Sequence, residues 1–293
     1  MTETAKEPWT IQRLLNWTSE FFTQRGLDAP RLAAEVLLAE ALECPRIQLY
    51  ARFNEIPVEP QLGKFRDWLK RHATGEPVAY LVGHREFYSL RFEVNEHVLI
   101  PRPETENLVM LAVDHLKALP EQEQRFIDIG TGSGCIAVTL LKQCSNATGI
   151  AVDVSKDAIE VATRNAKFHN VSDRLETIES NLFEQLPADL KVPVIVSNPP
   201  YIGTSEDGTV EESVRKHEPN IALFGGEVGD ELTRQLIASA INHLLPDGRL
   251  LIETSPLVAQ RLQEFANSLP QIKSCETRKD LSKLDRILDI RTQ

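Results

Sequence analysis

Phe126-Ile127-Asp128-Ile129-Gly130-Thr131-Gly132-Ser133-Gly134-Cys135-Ile136-Ala137-Val138 is the stretch on which the fold turns. A short apolar run makes a buried strand, a glycine-rich turn follows, and a second apolar run opens a helix. Glycine lets a chain turn sharply and lets a ligand approach the backbone with no Cβ in the way. The next strand ends Ala151-Val152-Asp153, about 20 residues past the loop, where an acid is placed to accept from both hydroxyls of a ribose. The glycine spacing is GxGxG, with Asp128 two residues before the first glycine. A nicotinamide dinucleotide favours GxGxxG, with its pyrophosphate on the helix N-terminus. A carboxylate aimed into the site would repel that pyrophosphate but attract a sulfonium. The pattern therefore favours S-adenosylmethionine, held by Asp128, Gly130, Thr131, Gly132, Ser133, Gly134 and Asp153. A plainer reading of Asp153 is an acid capping the helix that follows it.

Outward from this loop, strands and helices alternate. Strands are expected at 126–129, 148–152, 175–178, 192–196, 249–253, 272–276 and 284–290, and helices at 136–144, 156–169, 231–245 and 258–268. That alternation predicts an α/β fold with a doubly wound, mostly parallel, Rossmann-like sheet. The last two strands follow each other directly, which predicts an antiparallel hairpin at one edge. Before the sheet, alternation over 84–100 predicts a β-hairpin with turns near Tyr88-Ser89 and Asn95-Glu96, then Pro101-Arg102-Pro103 and a helix over 104–119. The first 75 residues carry three amphipathic patterns, opening at Ile11, Pro30 and Pro60, and predict a small helical bundle. The expected division is a bundle over 1–75, a linker with a hairpin over 76–103, and a catalytic domain over 104–293.

The strand at 192–196 runs into Ser197-Asn198-Pro199-Pro200-Tyr201. Each proline fixes its φ, lacks an N–H and restrains the residue before it to extended backbone. The segment thus presents a carboxamide, bare carbonyl oxygens and an aromatic ring at the end of a buried strand. Such a surface suits a planar group that carries N–H donors and must be held still. A proline-terminated strand leading into an ordinary loop is the plainer alternative.

Composition narrows the rest. At 293 residues, 42% hydrophobic and 26% charged, the chain falls among ordinary globular proteins with room for two domains. No apolar run approaches the ~18 residues of a membrane span, and the N-terminus lacks the layout of a signal peptide. Cys44, Cys135, Cys144 and Cys275 are scattered and form no CxxC, so neither a disulfide framework nor a metal site is expected, and a reducing cytoplasm is the simplest compartment. The net charge of −11 is uneven. Residues 1–83 hold 10 Lys and Arg against 11 Asp and Glu, leaving 22 against 32 for the remainder. An acidic domain lacks the attraction that underlies most duplex binding, so nucleic acid is not the expected substrate.

Four stretches taken together resemble a known family: DIGTGSG from Asp128, AVD ending at Asp153, SNPPY ending at Tyr201, and GEPVAYLVGHREFYSLRFEVNEHVLIPRPETE ending at Glu106. The chain resembles the HemK family of protein-(glutamine-N5) methyltransferases from about Trp9 to its C-terminus. Within that family it looks like the enzymes that act on the Gly-Gly-Gln loop of class I peptide chain release factors. NPPY is shared with nucleic-acid amino-methyltransferases, whereas the segment ending IPRPETE is far more specific to the glutamine-modifying enzymes. The resemblance implies that residues 130–134 form the cofactor loop, that Asp153 binds the ribose, and that Asn198, Pro199, Pro200 and Tyr201 grip the substrate. Leu182 falls where relatives often place a Trp against the adenine, with Phe183 as an alternative contact. Residues 218–226 match a family loop after the motif. Two departures stand out: Glu253-Thr254-Ser255 where relatives often read Glu-hydrophobic-Gly, and a missing Gly within 280–286. Neither is expected to touch the chemistry.

A glutamine amide is a weak nucleophile because its nitrogen lone pair is delocalised. The implied catalytic set is Asn198 Oδ1 and the Pro199 carbonyl accepting the two N–H bonds, with Tyr201 packed on the amide plane. A monomer is expected. Arg102 and Glu104 either line the cofactor or brace two domains, and His217 is expected to be solvated or structural rather than catalytic. The rivals are a glutamine methyltransferase for a ribosomal protein, an adenine amino-methyltransferase, and a cofactor-binding adaptor without activity. The acidic second domain disfavours the adenine enzyme, and an intact NPPY disfavours the adaptor.

Overall fold

The computed structural model describes residues 8–209, 211–280 and 282–293, with the side chains of 206, 207 and 209 left aside. In chain order the helices are α1 (Ile11–Thr23), α2 (Pro30–Ala41), α3 (Arg46–Ala51), α4 (Glu59–His72), α5 (Val78–Val82), α6 (Thr105–Ala118), α7 (Cys135–Gln143), α8 (Lys156–Phe168), α9 (Glu212–His217), α10 (Glu231–Ala240) and α11 (Pro256–Ser268). The strands are β1 (His84–Phe87), β2 (Leu90–Glu93), β3 (Arg125–Ile129), β4 (Thr148–Asp153), β5 (Leu175–Glu179), β6 (Val192–Ser197), β7 (Ile202–Gly203), β8 (Phe224–Gly226), β9 (Leu244–Glu253), β10 (Ile272–Lys279) and β11 (Asp285–Thr292). Two compact units result. One holds the described residues up to Gly83 together with Glu212–His217, and the other holds His84–Glu211 and Glu218–Gln293.

In the first unit α1, α2 and α4 form where apolar residues recur every three to four positions, burying Ile11, Leu15, Phe22, Leu37, Leu38 and Phe65. Thr10 caps α1 by accepting from the Arg13 N–H at 3.3 Å. Two further helices, α3 and α5, were not expected: at 6 and 5 residues they are too short to establish a helical period. The part of the expected bundle at residues 1–7 lies outside the described residues.

In the second unit a seven-stranded sheet runs β10-β11-β9-β6-β3-β4-β5. All neighbours pair in parallel except β11, which is antiparallel to both β9 and β10. The expected edge hairpin is therefore present, with β11 placed inside it. Apolar clusters cover both faces, one containing Phe126, Val194 and Leu251 and the other Ile127, Ile195 and Leu250. Alternate residues of the same strands feed opposite layers, as the period-two geometry of strands requires. Successive strands go outward through β4 and β5, then return to β6 on the other side of β3. Chain order thus reverses between β3 and β6, and the crevice beyond their carboxyl ends is where such sheets bind ligands.

Two boundaries differ from the sequence expectation. The helix expected over 231–245 stops at Ala240, and β9 begins at Leu244 with a bulge before Arg249. Asp247 adopts φ 54° within that bulged stretch of β9, a left-handed conformation suited to the irregular register. The β1–β2 hairpin turns at Tyr88 and Ser89, both with positive φ, as a tight two-residue turn needs. The second turn at Asn95 is present, with the Val98 N–H donating to the Asn95 carbonyl, but residues 97–100 form no third strand. Among the described residues no helix is long and apolar enough to cross a membrane.

Candidate active site

At the end of β3 the chain enters the glycine loop, which hangs from its neighbour β4. The Gly130 and Thr131 N–H groups both donate to the Val152 carbonyl, at 2.8 and 2.9 Å. Asp153, at the tip of β4, closes the loop from the other side: Oδ2 accepts from the Gly132 N–H at 2.8 Å and Oδ1 from the Ser155 N–H at 2.9 Å. Burial raises the Asp153 pKa against these backbone donors. The plainer reading of Asp153 as a helix cap does not account for this, since Ser155 is the residue whose side chain caps α8.

Asp128 has a different place from the one expected. It is fully buried and absent from the walls of the cleft. Its Oδ2 accepts from the Thr131 hydroxyl at 2.7 Å and the Ala137 N–H at 3.2 Å, so it ties the loop to the first turn of α7 from beneath. Its Oδ1 has no hydrogen-bond partner, and burial pushes its pKa up to about 7. The expectation that Asp128 faces the cofactor is corrected: the side chain braces the loop because residues alternate across β3, and this one points into the layer beneath α7.

The cleft is lined by Gly130, Thr131, Gly132, Ser133, Asp153 and Leu182 on one side, and by Thr105, Asn198, Pro199 and Pro200 on the other. The space between its walls and in its open mouth amounts to about 1030 Å³. Leu182 reaches the wall with φ 48°. Phe183 does not: it is buried and stacks on His243, ring centroids 4.7 Å apart. The alternative adenine contact through Phe183 is thus corrected, because consecutive side chains diverge and this one is committed to the core.

On the facing side Ser197 fixes the end of β6 to β3 by donating from its hydroxyl to the Ile129 carbonyl at 2.7 Å. The glycine loop and the 198–201 motif therefore leave the sheet side by side. Asn198 is half-buried, and its Nδ2 donates to Thr105 Oγ1 at 3.1 Å. Among the described residues no donor reaches its Oδ1. Beyond the motif, β7 pairs in parallel with β8, and the Ile202 N–H donates to the Leu223 carbonyl. A Cβ built on Gly225 would lie 2.2 Å from the Pro200 carbonyl oxygen, and one on Gly229 would lie 2.5 Å from that of Tyr201. The motif is held from behind by a loop that only glycine allows to come so close. Tyr201 is half-buried behind the cleft wall, and burial raises its phenol to about 12.

Several contributors were not singled out from sequence. Thr105, at the start of α6, meets Asn198 across 93 positions of chain. Glu253, in one of the two departures thought remote from the chemistry, is 2% exposed at the end of β9, its Oε2 without a hydrogen-bond partner, and burial pushes its pKa up to about 7. Glu218 accepts from the Ile100 N–H at 3.2 Å and from Arg102 at 2.5 Å, which fixes the proline-flanked segment before α6. Arg102 lines the cleft, whereas Glu104 is the residue preceding α6. His217, in the first unit, has its Nε2 buried without a hydrogen-bond partner. Asn165 on α8 donates to the carbonyls of Ser133 and Glu93 and accepts from the Glu93 N–H. Only the fold could bring these pairs together. No group of three or more His, Cys, Asp or Glu that could hold a metal occurs among the described residues.

Residues 13–83 match the PrmC N-terminal domain and residues 110–218 match the methyltransferase small domain. Among solved structures, the catalytic domain of hMettl16 in complex with the MAT2A 3′UTR hairpin 6 has a TM-score of 0.56 at 17% identity, covering 76% of this chain and 81% of that one. At that identity the likeness concerns the fold, and it identifies the sheet as a Rossmann-like methyltransferase sheet. The release factor glutamine methyltransferase of Rhodopirellula baltica is 42% identical over 293 residues, covering 99% of each chain. That of Nitratidesulfovibrio vulgaris is 38% identical over 280 residues, covering 95% of this chain and 94% of the relative. With such similarity over nearly the whole length, the chain belongs to the release factor glutamine methyltransferase family.

Proposed function

We propose that this protein transfers a methyl group from S-adenosylmethionine to the side-chain amide nitrogen of the glutamine in the Gly-Gly-Gln motif of class I peptide chain release factors, and that it does so in the cytoplasm. The observation that carries this reading is the placement of Asn198 in the same cleft as the glycine loop, with its amide nitrogen engaged by Thr105 and its oxygen left for a donor. The relatives named as release factor glutamine methyltransferases support the choice of substrate. The acidic second domain counts against nucleic acid.

The residues present fit the cofactor. A Cβ built on Gly130 or Gly132 meets no heavy atom within 4 Å, so the loop leaves open space above it. Each Asp153 oxygen accepts one backbone N–H and keeps lone-pair capacity for a ribose hydroxyl. Leu182 offers an apolar face to the adenine, without the ~0.5–1.5 kcal/mol that aromatic stacking adds. When bound, the cofactor supplies a methyl group on an electron-poor sulfonium.

The protein's own part is orientation and electrostatics. Asn198 Oδ1 and the Pro199 carbonyl accept the two N–H bonds of the glutamine amide. This turns the nitrogen lone pair toward the methyl and opposes the positive charge that develops on nitrogen. The two prolines hold these acceptors rigid, so little reorganisation accompanies the reaction. Tyr201 stands behind the acceptors and helps keep the end of the motif in place, its carbonyl pressed by Gly229. No strong base is required, because a methylated, cationic amide nitrogen is acidic and loses its proton readily. The first unit serves protein recognition, a role supported by its exposed Trp17, Ile47, Tyr50 and Val58.

Mass spectrometry of a release factor incubated with the enzyme and S-adenosylmethionine tests this reading. One added methyl on the Gly-Gly-Gln glutamine, absent from a Gln→Asn substrate, is expected. Transfer to RNA or DNA instead overturns it.

A further inference from the structure

The loop that backs the acceptor wall is itself held by one carboxylate. Gly225 and Gly229 press on the Pro200 and Tyr201 carbonyls, and Gly203 packs on the turn between them, its would-be Cβ 2.8 Å from the Glu227 carbonyl oxygen. Two successive N–H groups of that turn converge on Glu231, the first residue of α10. Val228 donates to Oε1 at 2.9 Å and Gly229 to Oε2 at 3.0 Å. Both carboxylate oxygens are thus committed to backbone, in charge-assisted bonds stronger than neutral ones. Gly226 makes room for them. It has φ 134°, and a Cβ built on it would fall 2.2 Å from Glu231 Oε2, so a side chain there would expel the carboxylate. The Val228 N–H also holds the carboxyl below its usual range, which keeps it ionised at neutral pH. Leu232 and Leu236 line the cleft, so α10 faces the cleft with two leucines and grips the turn with its first residue.

We propose that Glu231 is a positioning residue for methyl transfer: by clamping the turn at Val228 and Gly229 it fixes the backing on which Pro200 and Tyr201 rest, and through them the aim of Asn198 Oδ1 and the Pro199 carbonyl. This rests on the glutamine-methylating reading above. An acid in the first turn of a helix has a plainer use, since its charge suits the positive end of the helix dipole. That use needs only the charge. The clamp needs reach and two acceptor oxygens as well, and both oxygens are taken by the turn. Prolines with fixed φ cannot bend to absorb a displaced support, so a shift at Gly225 or Gly229 passes on to the acceptors.

Glu231→Gln keeps the length and replaces one acceptor by a donor, which then meets an N–H group. Glu231→Asp keeps the charge and loses the reach. Both are assayed at a temperature where circular dichroism shows them folded. For each, kcat is expected to fall about 10- to 100-fold, the scale of a small misplacement of reacting groups. KM for release factor and Kd for S-adenosylmethionine should change less than about 3-fold, since no binding group is removed. A second readout needs no turnover. In Glu231→Gln the backbone N–H resonances of Val228 and Gly229 should move upfield, and the Asn198 side-chain NH2 resonances, assigned by their loss in Asn198→Ala, should move with them. An Asp variant as active as the wild type, an unchanged kcat in the Gln variant, or unmoved Asn198 resonances would each overturn the proposal. If the wild type methylates no release factor, the functional reading fails, and the resonances still judge the clamp on its own.

Discussion

The two walls of the cleft use glycine in opposite ways. On the cofactor wall, Gly132 faces open space, and nothing lies within 4 Å of where its Cβ would be. On the acceptor wall, Gly225 is pressed against the Pro200 carbonyl, 2.2 Å from its would-be Cβ. One absence of a side chain leaves room for a ligand, and the other lets two loops touch. The first wall is built to admit something and the second to stay put. Damage to the first should therefore appear in cofactor affinity, and damage to the second in turnover.

Asn198→Ala removes the proposed acceptor, and kcat should drop roughly 100- to 1000-fold, the range for losing one preorganised hydrogen-bonding group. Calorimetry should find S-adenosylmethionine binding nearly unchanged. Gly225→Ala should follow at about 100-fold in kcat, because Pro200 and its neighbours must shift. A variant whose main loss is in cofactor affinity would break the distinction between the walls. Gly132 has φ 54°, a conformation that costs an L-residue roughly 1–2 kcal/mol. Gly132→Ala should accordingly weaken cofactor binding about 10-fold, with kcat at saturation preserved.

A smaller effect sharpens the picture of the cofactor wall from beneath. Burial raises the Asp128 carboxyl to about 7 in the folded state, against roughly 4 when unfolded. A raised acid contributes stability that is complete below the unfolded value and is lost as pH climbs through the folded one. Thermal unfolding of the cofactor-free protein should thus shift to lower temperature between about pH 4 and pH 7. Asp128→Asn should flatten part of that slope, since an amide oxygen still accepts from Thr131 and Ala137. Glu253 supplies a slope of the same sign, so the remainder should persist.

How much of this was legible in the sequence follows from how local each signal is. The strand, glycine loop and helix from Phe126 to Val138 are contiguous, and so is the motif from Asn198 to Tyr201. Their periodicity and their fixed dihedrals identify the sheet and both walls. The helices α3 and α5 are too short to leave a period, and the direction of Asp128 depends on which face of β3 it occupies. Phe183 and Leu182 are adjacent in sequence, yet only packing against His243 decides which one reaches the cleft. Thr105 and Gly225 meet partners tens of residues away, and no spacing rule joins them to Asn198 and Pro200.

Asn165 carries one more consequence. By gripping Glu93 of the hairpin and the Ser133 carbonyl at once, a single amide makes two distant segments share one equilibrium. Whatever quiets the segment around Ser133 must also quiet the ribbon of β1 and β2, and by reciprocity a ligand seated on that ribbon tightens the nucleoside end. Slower hydrogen exchange across Arg91 and Glu93 after addition of S-adenosylmethionine would be the trace of that shared motion.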